Sequence, residues 1–280
     1  MSEDLLMNDI LYVTSFNKRL FDATGKRMVD SFIDKQIEGD LLIAHEEGVV
    51  QDVPYHENFI YLDLDSYEFL HNWLEENIDI IPKEFGGNYE GNCDCHTLPK
   101  SKLYYKNHVF KCLNLGWNRR ASRWFRKIAS LNHCLNISEE NNYEKIIFVD
   151  SDIVFKKKIT KDFIENAFSN NGVFFHLGEQ RRMDNNGIES GFIGFNRQNK
   201  GFEFLKISIN KFTSGDFKQY HRWDDSYIFR SVWEEHPEIP CRDVVGRYRP
   251  ELGGHVVKHG LFASYIDHEK GSHTKKYKIF

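Results

Sequence analysis

Two carboxylates one residue apart, Asp150 and Asp152, close the apolar run Lys145-Ile146-Ile147-Phe148-Val149. Apolar residues occupy both parities of the period-two repeat, so the spacing predicts a strand buried on both faces. Such strands belong to α/β sheets, and ligands bind where their carboxyl ends open. Two carboxylates delivered to that edge lose water and repel each other, a cost that a cation offsets. A divalent ion with oxygen ligands fits, and such an ion can in turn hold a diphosphate.

A second run, Phe59-Ile60-Tyr61-Leu62, also ends in paired acids, Asp63 and Asp65. Its continuation through Phe69, Leu70, Trp73 and Leu74 has helical spacing. The better reading there is a helix with Asp65 or Ser66 as N-cap. Asp150 and Asp152 differ, because more apolar residues and then Lys156-Lys157-Lys158 follow them.

The surrounding elements must place these groups. Ile10 to Asn17 reads as a first strand entering a polar loop, Val29 to Ile37 as a helix, and Leu41 to Ala44 as a second strand. Strand, helix and strand within about forty residues signal a βαβ unit and a parallel sheet. Asn118 to Asn136 has an apolar stripe of Ala121, Trp124, Phe125, Ile128, Leu131 and Leu135. Arg119, Arg123, Arg126 and Lys127 share another face of that helix, which as a pattern is usually solvated. Thr160 to Phe168 reads as a short helix and Gly172 to His176 as a strand. Glu189-Ser190-Gly191 opens a further apolar strand running to Asn196. Asp224 and Asp225 open another helix, with Asp224 a natural N-cap.

The ordered set resembles the GT-A-fold, D-x-D-containing nucleotide-sugar glycosyltransferases. His268 and Gly271 resemble the carboxyl-terminal His-x-x-Gly-x-x-Lys element of the glycogenin-like members. Lys275 stands one residue late for that element, Lys270 could substitute, and His255, His259 and His273 are rival ligands to His268. The resemblance implies an α/β fold with a mostly parallel central sheet flanked by helices, in one domain over residues 1–280. Residues 10–150 would form the nucleotide-binding half and 151–280 the acceptor half. It implies that Asp150, Asp152 and His268 hold the metal, with Asp150 shared with the donor ribose. The mixed oxygen and nitrogen ligands suit Mn²⁺, with Mg²⁺ the alternative. Thr14, Ser15 and Asn17 would contact the nucleoside, or else form a cap or turn. Arg123, Lys127, Ser151, Lys270, Gly271 and Lys275 would reach the donor. Glu189 and Asp225 would serve the acceptor or the anomeric centre. The implied reaction moves a sugar from a nucleotide-sugar, a UDP-sugar by preference, to a hydroxyl acceptor. The glycogenin-like tail inclines the reading towards retention of anomeric configuration.

Composition sets bounds. The chain has 280 residues, 40% hydrophobic and 28% charged, with 23 Phe and 13 Tyr, a composition that argues for a folded globular chain and against disorder. No apolar run approaches the ~20 residues that cross a bilayer. The acidic start lacks the features of a signal peptide, so the expected location is the cytoplasm of a cell or infected host. Five cysteines in this length suit reduced thiols. Cys93, Cys95 and His96, with His108 and Cys112, are a zinc candidate of unusual spacing. The net charge of −5 gives no general reason for nucleic-acid binding. The basic helix face and the basic tail still keep a modified DNA base open as acceptor, and the Lys-, Asn- and Phe-rich composition would suit a phage or large DNA virus, or an AT-rich bacterium. The rival of another class is a haloacid-dehalogenase-type phosphohydrolase using Asp150 and Asp152. Such enzymes carry that motif near the N-terminus, whereas here a βαβ unit precedes it.

Overall fold

A computed structural model describes residues 8–81, 87–89, 120–178, 187–246 and 255–269. Strand β1 (Ile10–Phe16) leads into a short turn, α1 (Lys18–Leu20), a π-helical stretch (Phe21–Gly25) and helix α2 (Lys26–Asp34). Strands β2 (Asp40–His45) and β3 (Phe59–Asp63) and helix α3 (Glu68–Glu76) follow. Next come α4 (Ala121–Asn141), β4 (Lys145–Val149), β5 (Ile153–Phe155), α5 (Lys161–Phe168), β6 (Val173–His176) and β7 (Glu189–Asn196). The described chain closes with α6 (Gly201–Thr213), α7 (Asp225–Glu235), β8 (Cys241–Asp243) and β9 (Ile266–His268).

Seven strands form one sheet in the order β3-β2-β1-β4-β7-β6-β8, and β5 pairs with β9 in a second, small sheet. Strands β3, β2, β1 and β4 run parallel, β7 is antiparallel to both of its neighbours, and β6 is parallel to β8. The expected α/β architecture, a mostly parallel sheet flanked by helices, is therefore present.

The alternation in β4 explains why it lies in the middle. Ile146 and Phe148 enter the core beneath α3, α4, α6 and α7. Ile147 and Val149 enter the opposite core, with α2, α5, β5 and β9. Each such side chain contributes roughly 1.5–3 kcal/mol by leaving water, so the register of β4 is strongly fixed. A one-residue slip would exchange its two faces and move both aspartates.

Helix α4 is anchored by aromatic packing. Trp73 stacks on Phe125 with ring centres 4.0 Å apart, and its indole N–H donates to the Phe212 carbonyl at 2.9 Å. The helix runs to Asn141, five residues beyond the sequence expectation, and ends on Asn142 in the left-handed conformation at φ 57°. Asparagine tolerates that conformation, so the stop is local.

The paired acids of β3 do local work, but not the work expected. Helix α3 has Tyr67 at its N-cap position, with no side-chain cap, rather than Asp65 or Ser66. Asp65 instead accepts from the Glu47 backbone N–H at 2.5 Å, while Asp63 accepts from the Asp65 N–H at 3.0 Å. A turn through residues 64–66 thus consumes both carboxylates. Among the described residues, no helix is long and apolar enough to cross a membrane.

Candidate active site

The carboxyl ends of β1 and β4 lie side by side, since Val13 pairs with Phe148 in parallel register. Asp150 leaves β4 at that edge, and its backbone N–H donates to the Gly191 carbonyl of β7 at 2.7 Å. Asp152 follows in the turn before β5. His268 reaches it through non-local pairing. In β9 it stands opposite Ile153, and the Glu269 N–H donates to the Asp152 carbonyl at 3.0 Å. His268 Nε2 consequently sits 3.0 Å from Asp152 Oδ1. His268 is 2% exposed, yet neither of its ring nitrogens makes a hydrogen bond among the described residues. One oxygen each from Asp150 and Asp152 and one nitrogen of His268 lie within 4.8 Å of one another. That is the spread of ligands around a common point.

Gly191 makes the approach of the acids feasible. A Cβ there would stand 2.8 Å from Asp150 Oδ2 and 2.9 Å from Glu189 Oε1. Any larger residue would push one carboxylate out of place. Glu189 is buried at the start of β7. It accepts from the Gly191 N–H at 3.1 Å through Oε1 and lies 2.9 Å from His255 Nε2 through Oε2.

Lys127 ties the acids together from α4. Its ammonium is 2.6 Å from Asp225 Oδ2 and 3.3 Å from Asp150 Oδ1, and it donates to the Ser190 carbonyl at 3.1 Å. The Phe148 ring centre lies 4.1 Å away, an additional cation–π contact. Burial alone would lower the Lys127 pKa, but the Asp150 and Asp225 charges outweigh it and raise the value. The charged form is therefore held firmly, and Lys127 is a fixed cation rather than a base. A helical face that the pattern presents as solvated turns out to be closed by the strand ends.

Asp225 belongs to the same knot, whereas Asp224 does different work. Asp224 caps α7 by accepting from the Tyr227 N–H at 3.2 Å, and it receives Arg222 through two bonds of 2.8 and 2.9 Å. Burial raises its carboxyl pKa, with Arg222 pulling the other way. Capping by Asp224 leaves Asp225 in the first turn, aimed at Lys127.

On the donor side the expected residues separate. Asn17 caps α1, accepting from the Leu20 N–H at 3.0 Å, so the cap reading holds for it. Thr14 is wholly buried. Ser15 stays half-buried at the end of β1. Ser151 meets Thr24 of the π-helical stretch, hydroxyl to hydroxyl, at 3.3 Å. Such π-helical turns recur at functional sites, and no sequence signal marked this one. Burial, together with the Arg19 and Arg120 charges, pushes the Arg123 guanidinium down to about 10, while Asp150 and Asp225 pull it up. Arg123 thus feels both neighbouring arginines and the two acids.

Lys270, Gly271 and Lys275 lie outside the described residues, as do Cys93, Cys95, His96, His108 and Cys112. His255 and His176 enter the site region without having been singled out, apart from His255 as a rival ligand to His268. His176 is fully buried on β6, with Nδ1 3.1 Å from the Phe192 carbonyl. Burial lowers its pKa to about 4, against the Glu189 and Asp243 charges.

No family model and no curated protein sequence matches the chain. Among solved structures it is similar to mouse xyloside xylosyltransferase 1 in its apo form, at 15% identity over 84% of each chain, with a TM-score of 0.45. The functional reading accordingly rests on the chemistry of the site.

Proposed function

We propose that this chain is a metal-dependent glycosyltransferase of the GT-A kind, which moves a sugar from a nucleoside diphosphate sugar, a UDP-sugar by preference, to a hydroxyl acceptor. The observation that carries the reading is the convergence of Asp150, Asp152 and His268 on one point. Two carboxylates and an imidazole whose buried nitrogens make no hydrogen bond among the described residues form a suitable donor set for Mn²⁺, with Mg²⁺ the harder alternative. A cation bound there supplies charge neutralisation for the departing diphosphate.

The chain's own residues do the rest. Arg19 and Arg120 both disfavour the charge on Arg123, and an anionic diphosphate bound beside Arg123 would relieve that. Ser15 and Ser151 offer hydroxyls at the same edge for the nucleoside and ribose. Lys127 holds Asp150 in place and fixes Asp225, so Asp225 acts through Lys127 as a positioning group. Glu189, one glycine away from Asp150, is the carboxylate placed to stabilise positive charge at the anomeric carbon, which suits a retaining transfer. Lys270 and Lys275 are assigned to the phosphates by the resemblance alone.

The experiment is a donor screen with Mn²⁺, reading nucleoside diphosphate release for the parent and for Glu189→Gln. Glu189→Gln should keep nucleotide affinity within a few-fold and slow transfer by about 10²–10⁴. Hydrolysis of simple phosphate esters without any use of nucleotide sugars would instead favour a phosphohydrolase.

A further inference from the structure

His268 belongs to two ligand sets. One is Asp150, Asp152 and His268, and the other is Glu189, His255 and His268, each with its ligand atoms within 4.8 Å. The members of the second set come from separate elements. Glu189 opens β7, His268 ends β9, and His255 caps the short turn Val256–Lys258, which packs on both strands. The two imidazole rings lie 4.0 Å apart, centre to centre, and His255 Nε2 is 2.9 Å from Glu189 Oε2. A hydrogen-bonded His255–Glu189 pair accounts for the second distance. It does not account for His268, a 2%-exposed ring tilted at 42° to His255, whose Nε2 faces Asp152 Oδ1 at 3.0 Å and neither of whose nitrogens makes a hydrogen bond among the described residues.

The two sets differ in chemistry. Two carboxylates and one imidazole favour a hard ion. One carboxylate and two imidazoles form a tridentate His₂Glu set that leaves one position open, which suits Zn²⁺. Nitrogen ligands also favour Zn²⁺ over Mn²⁺ in the general affinity order. A tetrahedral ion with bonds of about 2.0–2.2 Å sets its ligand atoms roughly 3.3–3.6 Å apart.

We propose that Glu189, His255 and His268 form a second metal site, selective for Zn²⁺, and that Zn²⁺ held there withdraws His268 from Asp150 and Asp152 and so weakens Mn²⁺ at the donor site. The antagonism rests on the assignment of Asp150, Asp152 and His268 to the donor's cation; the Zn²⁺ site itself does not.

The test pairs Zn²⁺ calorimetry with Mn²⁺ titration followed by electron paramagnetic resonance, on the full chain. The parent should bind Zn²⁺ at least about tenfold more tightly than His255→Asn, since even outer partners of a metal carry that scale. Asp152→Asn should keep the Zn²⁺ affinity and lose Mn²⁺. Zn²⁺ should release Mn²⁺ from the parent at concentrations that leave Mn²⁺ on His255→Asn. Glu189→Gln supplies the same comparison if His255→Asn does not fold. Equal Zn²⁺ affinity in parent and variant would overturn the site. Equal release of Mn²⁺ from both would also overturn the proposal, because Zn²⁺ would then be replacing Mn²⁺ on the aspartates. A parent that binds no Mn²⁺ would defeat the donor-site reading and the antagonism together. The Zn²⁺ difference between parent and variant would still decide the new site.

Discussion

Replacing Lys127 by Met keeps much of the side-chain volume and removes the charge, which isolates what the ammonium does. Its two ionic contacts measure 2.6 and 3.3 Å. At an effective dielectric of ~20 they correspond to roughly 6 and 5 kcal/mol of Coulomb attraction. Desolvation of the buried ammonium takes back several kcal/mol of this, and the Asp150 contact deserves a discount because that side chain is 28% exposed. The loss falls mainly on Asp225, 1% exposed, which would be left as an unpaired buried charge. Breaking such a pair costs about 3–5 kcal/mol. Urea unfolding with a shared m value measures it. Adding Asp225→Asn to Lys127→Met should restore much of the loss, with a coupling energy of about 2–3 kcal/mol. A loss below about 1 kcal/mol, the scale of an exposed pair, or strict additivity of the two substitutions, would refute the reasoning. The sign with pH also follows. The folded pKa of Lys127 is raised, so its stabilisation is complete below the ordinary lysine range and is lost as pH climbs through the folded value. The parent should therefore lose its advantage over Lys127→Met only in strong alkali.

Other outcomes test neighbouring parts. His176 has a folded pKa lowered to about 4 by burial, so the unfolded chain binds its proton first as pH falls below about 6.5. Stability should decline between about pH 6.5 and 4 by up to ~3 kcal/mol, and His176→Leu should remove that part of the slope in urea titrations across pH. Gly191→Ala should leave the strand folded but weaken Mn²⁺ binding at least about tenfold, because its Cβ would displace Asp150 or Glu189; unchanged Mn²⁺ affinity would show that the close approach does not matter. Asp224→Ala should cost about 1–2 kcal/mol through the lost cap, visible as a lowered melting temperature.

What the sequence disclosed and what it withheld follow from the range of each interaction. The apolar run of β4 carries its meaning locally, so Asp150 and Asp152 at a sheet edge were legible from spacing. So was the Asp224 cap, which depends on three neighbouring residues. The partners of these groups were not. Lys127 sits on a helical face whose periodicity looks solvated, and only the arrival of β4 and α7 buries it. His268 was suggested by resemblance. Its place beside Asp152 depends on the pairing of β9 with β5 across more than a hundred residues. The contact of Glu189 with His255 depends likewise on a turn docking against β7, which leaves no periodic trace. Asn17 and the acids of β3 show the reverse case. Their residue types suit ligand binding equally well, but short-range backbone bonds take them first.

The most direct test of the central claim is the affinity of uridine diphosphate measured by calorimetry with and without Mn²⁺, for the parent and for Asp152→Asn. The account predicts tight binding by the parent with Mn²⁺, at least about tenfold weaker binding without it, and no Mn²⁺ dependence in Asp152→Asn. Equal nucleotide affinity in all four conditions would contradict it.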